Sequence, residues 1–415
     1  MSSASRVRLL VVGGGLAGLA AARVAQARGV DWRLVEGSDR LGGRVATDIV
    51  EGFAIDRGFQ VLLTAYPSLA AHLDELALGR FTPGAWVRVD HGGKAAFHRA
   101  IDPWRRPLDA LQLDWRHVLP LRDAIKLARL RGTIQREDPA AQGVSTVEYL
   151  ENRGFSKTAM DRFFRPFFGG VLLDRELGAP ATFMRRLFGY FSHGDAAIPA
   201  RGMGRLPAAL AGPLDPTRIV YESRVTSIVG GRVTLATGEV IEADKVIVCT
   251  DPDAAAALTG SSSTQSSRWH ATTACYYTVD GDGALPSPLD TPTLVLNAVG
   301  PRNSPIHHIA PLSTVSPTLA PTGRHLISVS HDGVADAGLE PAMTAELRRW
   351  FPDTRWRLLA ITPVAHALPA WPDSKRSDPF RVLTNRLYLA GDGIADRSIE
   401  GALSSGRQAA EALLA

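Results

Sequence analysis

Val7 to Arg44 reads VRLLVVGGGLAGLAAARVAQARGVDWRLVEGSDRLGGR, and the order of its apolar and glycine-rich stretches decides the fold. Val7 to Val12 is a short, β-branched apolar run bounded by glycines, the pattern of a strand buried on both faces of a parallel sheet. Leu16 to Arg28 is alanine-rich and stops before Gly29, as a helix with a glycine C-cap does. Between them Gly13, Gly15 and Gly18 stand in G-x-G-x-x-G register. The first permits a tight turn, the second lets backbone approach a pyrophosphate, and the third lets helix and strand pack closely. Three glycines alone say little in a chain that holds 39. Asp31 to Val35 then predicts a second strand. Glu36 closes it 18 residues after Gly18, where a carboxylate accepts from ribose hydroxyls and disfavours a 2′-phosphate. Gly42, Gly43 and Arg44 add a second close backbone approach and a guanidinium for phosphate. Together these features predict a bound dinucleotide.

At 415 residues the chain exceeds the size at which a single core stops growing, so two domains are expected. With 45% hydrophobic and 21% charged residues, it has the composition of an ordinary globular protein. A net charge of +4 spread over dispersed Lys and Arg gives no nucleic-acid footprint. Arg6 and Arg8 precede an apolar run, but that run dissolves into Gly13-Gly14-Gly15 and is a strand rather than a signal segment. No apolar run reaches 18 residues, so no membrane span is expected. Cys249 and Cys275 have no metal spacing and read as buried, inert thiols of a reducing, cytoplasmic compartment.

Phe53 to Leu63 predicts an alternating strand that turns at Gly58, and Pro67 to Leu78 an amphipathic helix. Ala85 to Val89 and Lys94 to His98 predict a hairpin joined near Asp90-His91-Gly92-Gly93, in a second, antiparallel sheet. Trp115 to Glu137 predicts a longer helix whose Arg116, Arg122, Lys126, Arg129, Arg131 and Arg136 surround an apolar stripe of Val118, Leu121, Ile125 and Leu130. Such a basic helix, 115-137, either lies on an anionic membrane surface or is a solvated face over ordinary core, and the second reading is preferred. Ser145 with Glu148 is a capping box. Ser156 opens a helix running into the aromatic Arg165 to Val171 segment, which suits the wall of an apolar pocket or ordinary core. Arg201 to Pro207 reads as a plain loop, because no strand precedes it and no Lys-Ser or Lys-Thr pair follows. Ile219 to Ile228, Arg232 to Leu235 and Val240 to Val248 predict a meander that returns to the first sheet at Lys245 to Cys249. A Ser-rich break lies at Gly260 to Thr264. Beyond it Ala274 to Val279 and His325 to Ser330 predict strands, and Pro341 to Trp350 a helix. His307 and His308, adjacent on a strand, would point to opposite faces with no carboxylate at ligand spacing, so no metal is expected. No second G-x-G-x-x-G appears, so electrons leave by a route other than a nicotinamide domain.

Arg386 to Leu389 predicts a strand ending in Gly391-Asp392-Gly393, and Ser398 opens a final helix to Leu414. That strand would complete the first sheet with its carboxyl end in the crevice beside Gly13 to Gly18. Asp392 and the amides around Gly391 could hold the ribityl-phosphate part of a long cofactor. Gly401 and Ala402, at the helix N-terminus, could offer amides and a positive dipole to a flavin carbonyl.

Gly13, Gly15 and Gly18 with Glu36, the run EGSDRLGGR, the Gly202-Met203-Gly204 segment before a strand holding Val225, and the terminal GDG to SIEGA run together resemble the flavin-containing amine oxidoreductase superfamily. That superfamily includes monoamine oxidases, protoporphyrinogen oxidases and carotenoid desaturases. The resemblance implies an α/β fold, a Rossmann-type FAD-binding domain with a mixed α+β substrate domain. It implies FAD across residues 1-80, 200-262 and 376-415, and a substrate domain of 81-199 and 263-375. Departures inside the family are informative. Monoamine oxidases carry an aromatic residue two positions before the glutamate of their EGA triplet, where this chain has Ser398. They also use a lysine near the flavin, and this chain has no lysine between Lys245 and Lys375. SIEGALSSGRQAA (Ser398 to Ala410) is similar to plant-type phytoene and zeta-carotene desaturases. DRGFQVLLTAYPSL (Asp56 to Leu69) resembles them and bacterial hydroxysqualene-processing oxidoreductases.

The resulting expectation is an FAD-dependent oxidoreductase that takes hydride from carbon of a small apolar substrate, an isoprenoid or polyene, and passes electrons to oxygen or a quinone. No catalytic base can be named, and Gln60, Phe168, His193, Trp371 and Ser398 are candidates for the pocket wall. The alternatives are a flavin amine oxidase releasing imine and hydrogen peroxide, and a flavin-free escort protein resembling the prenyl-binding proteins of this fold.

Overall fold

The computed structural model describes residues 5–91, 94–109, 113–261, 268–279, 283–300, 304–371 and 378–415. The hairpin glycines Gly92 and Gly93, and Ser262 to Thr264 of the Ser-rich break, lie outside the described residues.

Ser5–Val12 is the centre of the first sheet. It pairs in parallel with Trp32–Val35 on one side and Val240–Val248 on the other. Ile219–Val220 extends the sheet beyond Trp32–Val35, and Leu387–Leu389 runs parallel to the end of Val240–Val248. The meander Val225–Val229 and Arg232–Leu235 flanks the start of that same long strand in antiparallel register. Strands from both ends of the chain therefore flank the same central strand, Val240–Val248. Alternation along Val7 to Val12 assigns the two faces. Leu9 and Val11 pack beneath the helices Leu16–Ala27 and Ile399–Leu413. Leu10 and Val12 meet Val233, Leu235 and Ala255.

The second sheet has seven strands in the order Trp356–Pro369, Trp269–Val279, Ile327–Asp332, His308–Ala310, Leu294–Asn297, Gly84–His91 and Lys94–Ile101. It is not wholly antiparallel as expected, because Leu294–Asn297 runs parallel to Gly84–His91. Phe53 to Leu63 does not join it. Phe53–Asp56 pairs with Thr47–Val50, and Leu62–Leu63 with Ala196–Ile198.

Two expected helices are shorter. Beyond the turn Pro67–Leu69, the segment toward Leu78 winds tightly: Ala70 N–H donates to Pro67 and His72 N–H to Leu69, each an i→i+3 bond. Trp115 to Glu137 breaks at Pro120, which lacks an N–H to continue a helix and disfavours helical backbone before it. The result is a turn at Leu113–His117 and a helix at Leu121–Gly132. That helix does not bury the expected stripe. Val118 and Leu130 are in the core, whereas Leu121 and Ile125 are exposed. Ser145 and Glu148 form the capping box in full. Among the described residues no helix is long and apolar enough to cross a membrane.

Candidate active site

A cavity of about 950 Å3 runs from the Gly13 turn to the second sheet. At its first end the chain leaves Val12 with Gly13 in a left-handed conformation, φ +102°, and a Cβ there would press on the Cys249 carbonyl at 3.0 Å. Gly15 faces the opening, with nothing within 4 Å of where a Cβ would stand. Gly18 does different work. Its Cβ would lie 1.9 Å from the Gly13 carbonyl oxygen, so it seats the helix on the strand and is not part of the lining. The helix Leu16–Ala27 has no side-chain cap and no acid in its first turn, which leaves amide donors and positive dipole toward the cavity. The Glu36 carboxylate accepts from Gly14 N–H at 2.6 Å and from Ser38 N–H at 2.8 Å, holding the glycine turn to the second strand. Glu36, Gly42, Gly43, Arg44 and Val225 all line this end.

Gly391 and Asp392 line the same cavity from the other terminus. Arg44 donates to Asp392 at 2.5 Å and to the Ala367 carbonyl at 2.9 Å, so the two residues expected to meet cofactor groups also meet each other. The last helix corrects an expectation. Gly401 N–H donates to the capping Ser398 Oγ at 3.0 Å and Ala402 N–H to the Ser398 carbonyl at 3.0 Å, so neither amide is left for a ligand. Gly401 is absent from the lining because its Cβ would stand 1.9 Å from the Asp396 carbonyl. Ser398, Ile399 and Ala402 do line the wall.

The far end is aromatic. Phe59, Phe81, Phe163, Phe167, Phe188 and Phe191 enclose it. Phe168 does not reach it, being 1% exposed and lying behind Phe167 with ring centroids 5.0 Å apart. A π-helical turn at Met160–Phe164 leads into the helix Arg165–Leu172, and Phe163 and Phe167, four residues apart, stand on the cavity side. His193 is at the surface, bonded to Gln135 and the Gly189 carbonyl. Trp371 stands one layer out, stacked under the Arg397 guanidinium at 4.2 Å. Gln60 does line the cavity and donates to the Arg44 carbonyl at 3.0 Å.

Two lining groups escaped the sequence. Arg397 donates to Ala395 and Ala370 carbonyls, its Nε is buried without a partner among the described residues, and burial pulls its guanidinium down to about 10. His308 meets Ser330 Oγ at 2.8 Å and tilts against Phe59 at 4.9 Å, and burial with the neighbouring His307 pulls its imidazole down to about 3. The adjacent histidines are not on opposite faces, since the strand begins only at His308 and both rings approach Gly170. His307 also finds a carboxylate, Asp332, which arrives from a neighbouring strand rather than at local spacing. Cys249 lines the cavity with a thiol pushed up to about 12 by burial, and is no nucleophile. His98, on the strand Lys94–Ile101, meets Asp114 and His117 of the turn Leu113–His117. Their geometry is that of a brace, with the two rings stacked at 4.5 Å and Asp114 accepting from His98 and from Arg99 N–H.

The carboxylates of the cavity are engaged. Asp102 pairs with Arg131 at 2.8 Å, Asp195 with Arg105 and Arg80, and Asp392 with Arg44. Asp251 caps the helix Pro252–Thr259. Trp104, 49% exposed, stands with Arg105 and Arg131 where the cavity reaches the surface.

A family model described as flavin containing amine oxidoreductase matches residues 16–414. Coproporphyrinogen III oxidase of Propionibacterium freudenreichii subsp. freudenreichii is 40% identical over 88 residues, 21% of this chain and 17% of that protein. L-amino-acid oxidase of Crotalus adamanteus is 26% identical over 277 residues, 60% of this chain. The match spans about half of that relative's length, 51%. Among solved structures, an oxidoreductase from Methanosarcina mazei superposes with a TM-score of 0.75 at 20% identity, covering 97% of this chain and 100% of that one.

Proposed function

This chain belongs to the flavin-containing amine oxidoreductases, flavin-dependent oxidoreductases with FAD as cofactor, and from that premise we propose that it removes hydride from carbon of an apolar substrate of isoprenoid or polyene type. The observation that carries this reading is the aromatic end of the cavity, walled by six phenylalanines while each nearby carboxylate is already paired or capping. An ammonium entering there would find no unpaired acid among the described residues. The likeness of Ser398 to Ala410 to plant-type desaturases, and the absence of lysine between Lys245 and Lys375, agree with it.

The residues present fit FAD. The uncapped helix at Leu16, the open backbone at Gly15 and the Glu36 carboxylate suit the pyrophosphate and ribose of its adenosine half, and the cavity continues past Gly391 and Asp392 to an aromatic chamber. Residues 1-80, 200-262 and 376-415 would hold it, with 81-199 and 263-375 over the substrate. Bound FAD supplies the two-electron acceptor for the hydride, and oxygen or a quinone would reoxidise it. The chain supplies position and exclusion of water: the phenylalanines hold an apolar chain, and His308, neutral at working pH, adds no charge to them. Membership in a flavin-containing family leaves no place for a flavin-free escort.

A second reading rests on the amino-acid oxidase likeness. Arg397, with its unpartnered Nε in the cavity wall, could clamp a substrate carboxylate. Anaerobic mixing separates the two. Dispersed isoprenoid polyenes should bleach the oxidised-flavin absorption while amines and amino acids leave it unchanged. Bleaching by amino acids alone, abolished in Arg397→Leu, establishes the second reading and ends the first.

A further inference from the structure

Nine large hydrophobic side chains are strongly exposed among the described residues, and four of them fall between Trp104 and Ile125. Trp104 is 49% exposed, Leu108 79%, Leu121 53% and Ile125 47%. Leu121 and Ile125 are one turn apart on the helix Leu121–Gly132, and Arg122 and Arg129 lie exposed beside them. Neither arginine has an ion pair among the described residues. Exposed Arg116 has, among the described residues, only the ring of its neighbour Trp115, at 5.8 Å. The acids of this region are engaged by other partners. Asp123 is 2% exposed and accepts from Ser156 N–H and Oγ, Asp114 serves His98, and Asp109 takes Arg99 and Arg106. The outward face is thus apolar with unneutralised positive charge.

The same helix borders the cavity. Leu127 and Arg131 line it from the inner side, and Arg131 is tied to Asp102 at 2.8 Å and lies over Trp104 at 4.7 Å. The loop carrying Trp104 and Leu108 is therefore fixed against the helix carrying Leu121 and Ile125, where the exposed Trp104 lines the cavity.

We propose that this face docks on an anionic lipid bilayer, so that the opening beside Trp104 receives its apolar substrate from the lipid phase. Apolar side chains would enter the acyl boundary while the arginines, on long apolar stems, meet phosphate headgroups. A second copy of the chain is a poor occupant, because two such faces would bring unpaired arginines together. The inference rests on the apolar-substrate reading for its purpose but not for its measurement.

The test is co-sedimentation of the FAD-loaded protein with vesicles of phosphatidylcholine and phosphatidylglycerol in equal parts, and with phosphatidylcholine alone. The wild type should pellet with the anionic vesicles, weaken in high salt, and bind the neutral ones far less. Leu121→Glu with Ile125→Glu should lower the partition at least about tenfold with an unchanged flavin spectrum. Arg122→Gln with Arg129→Gln, which spares the apolar pair, should lose most of the salt-sensitive part. Wild type left in the supernatant overturns the proposal, as do variants that pellet equally. A dimer of the wild type that the glutamate variant splits also overturns it and assigns the face to a second copy. Flavin bleaching by detergent-dispersed polyene needs no vesicle, so failure to dock and failure of the substrate reading appear separately.

Discussion

Glu36 shows how one side chain serves both fold and ligand. Its two oxygens already hold Gly14 and Ser38 amides, so the carboxylate that would meet a ribose also sets the shape of the glycine turn. In Glu36→Ala the Gly14 amide loses its acceptor. A hydrogen bond to a charged group contributes about 1.5–3 kcal/mol, so FAD affinity, measured by titrating the apoprotein, should fall roughly ten- to a hundredfold. An unchanged affinity would remove Glu36 from the site. His308 gives a pH signature of definite sign. Its folded value near 3 lies below the ordinary 6.5, so the unfolded chain takes up a proton that the folded one refuses. The stability it contributes is complete above 6.5 and is lost as pH falls toward 3, at up to about 1.4 kcal/mol per pH unit. His308→Gln can still bond Ser330 but does not titrate. Denaturant unfolding from about pH 7.5 down to about pH 5 should therefore fall more steeply in the wild type than in the variant. Parallel curves would show that His308 already titrates normally.

At the scale of elements, the first and last helices are locked by one absent side chain. A Cβ at Gly406 would stand 1.9 Å from the Ala17 carbonyl oxygen, inside the helix that presents Gly15 and Leu16 to the cavity. Gly406→Ala should cost more than about 2 kcal/mol of stability and loosen FAD, because the helices must part. Gly132→Ala, at the end of the basic helix with nothing within 4 Å, is the control and should be close to neutral in the same unfolding experiment. The elements themselves were largely legible: the turn at Gly13 to Gly18, the Ser145–Glu148 capping box and the Gly84 to Ile101 hairpin each depend on neighbours a few residues away. What failed depended on distant partners. Phe163 and Phe167, not Phe168, form the pocket wall, because Phe168 packs behind Phe167. Ser398 took the Gly401 amide, Asp332 found His307 across 25 residues, and Arg44 found Asp392 across 348. No local pattern announces Arg397, whose role in the wall follows from Trp371 folding beneath it.

The whole molecule closes around its cavity from both ends of the chain. Ser5–Val12, Val240–Val248 and Leu387–Leu389 run parallel in one sheet, and the residues fit for FAD stand at their carboxyl ends. A ligand gripping Glu36 on one side and the Gly391 region on the other bridges segments whose separation would otherwise have to be closed by strand pairing alone, at a cost in loop entropy. Such a ligand binds the folded chain and has no site on the unfolded one, so its binding energy appears as stability. At a free concentration about a hundredfold above Kd the gain is about 2.7 kcal/mol. Spread over the unfolding entropy of a chain this long, that corresponds to a rise of about 3 °C in Tm. Apoprotein titrated with FAD should show this shift growing with the logarithm of concentration, and FMN, which lacks the adenosine half, should give a much smaller one. Equal shifts for the two would mean that the Gly13 to Glu36 end contributes little, and that the clamp between the termini is not what FAD stabilises.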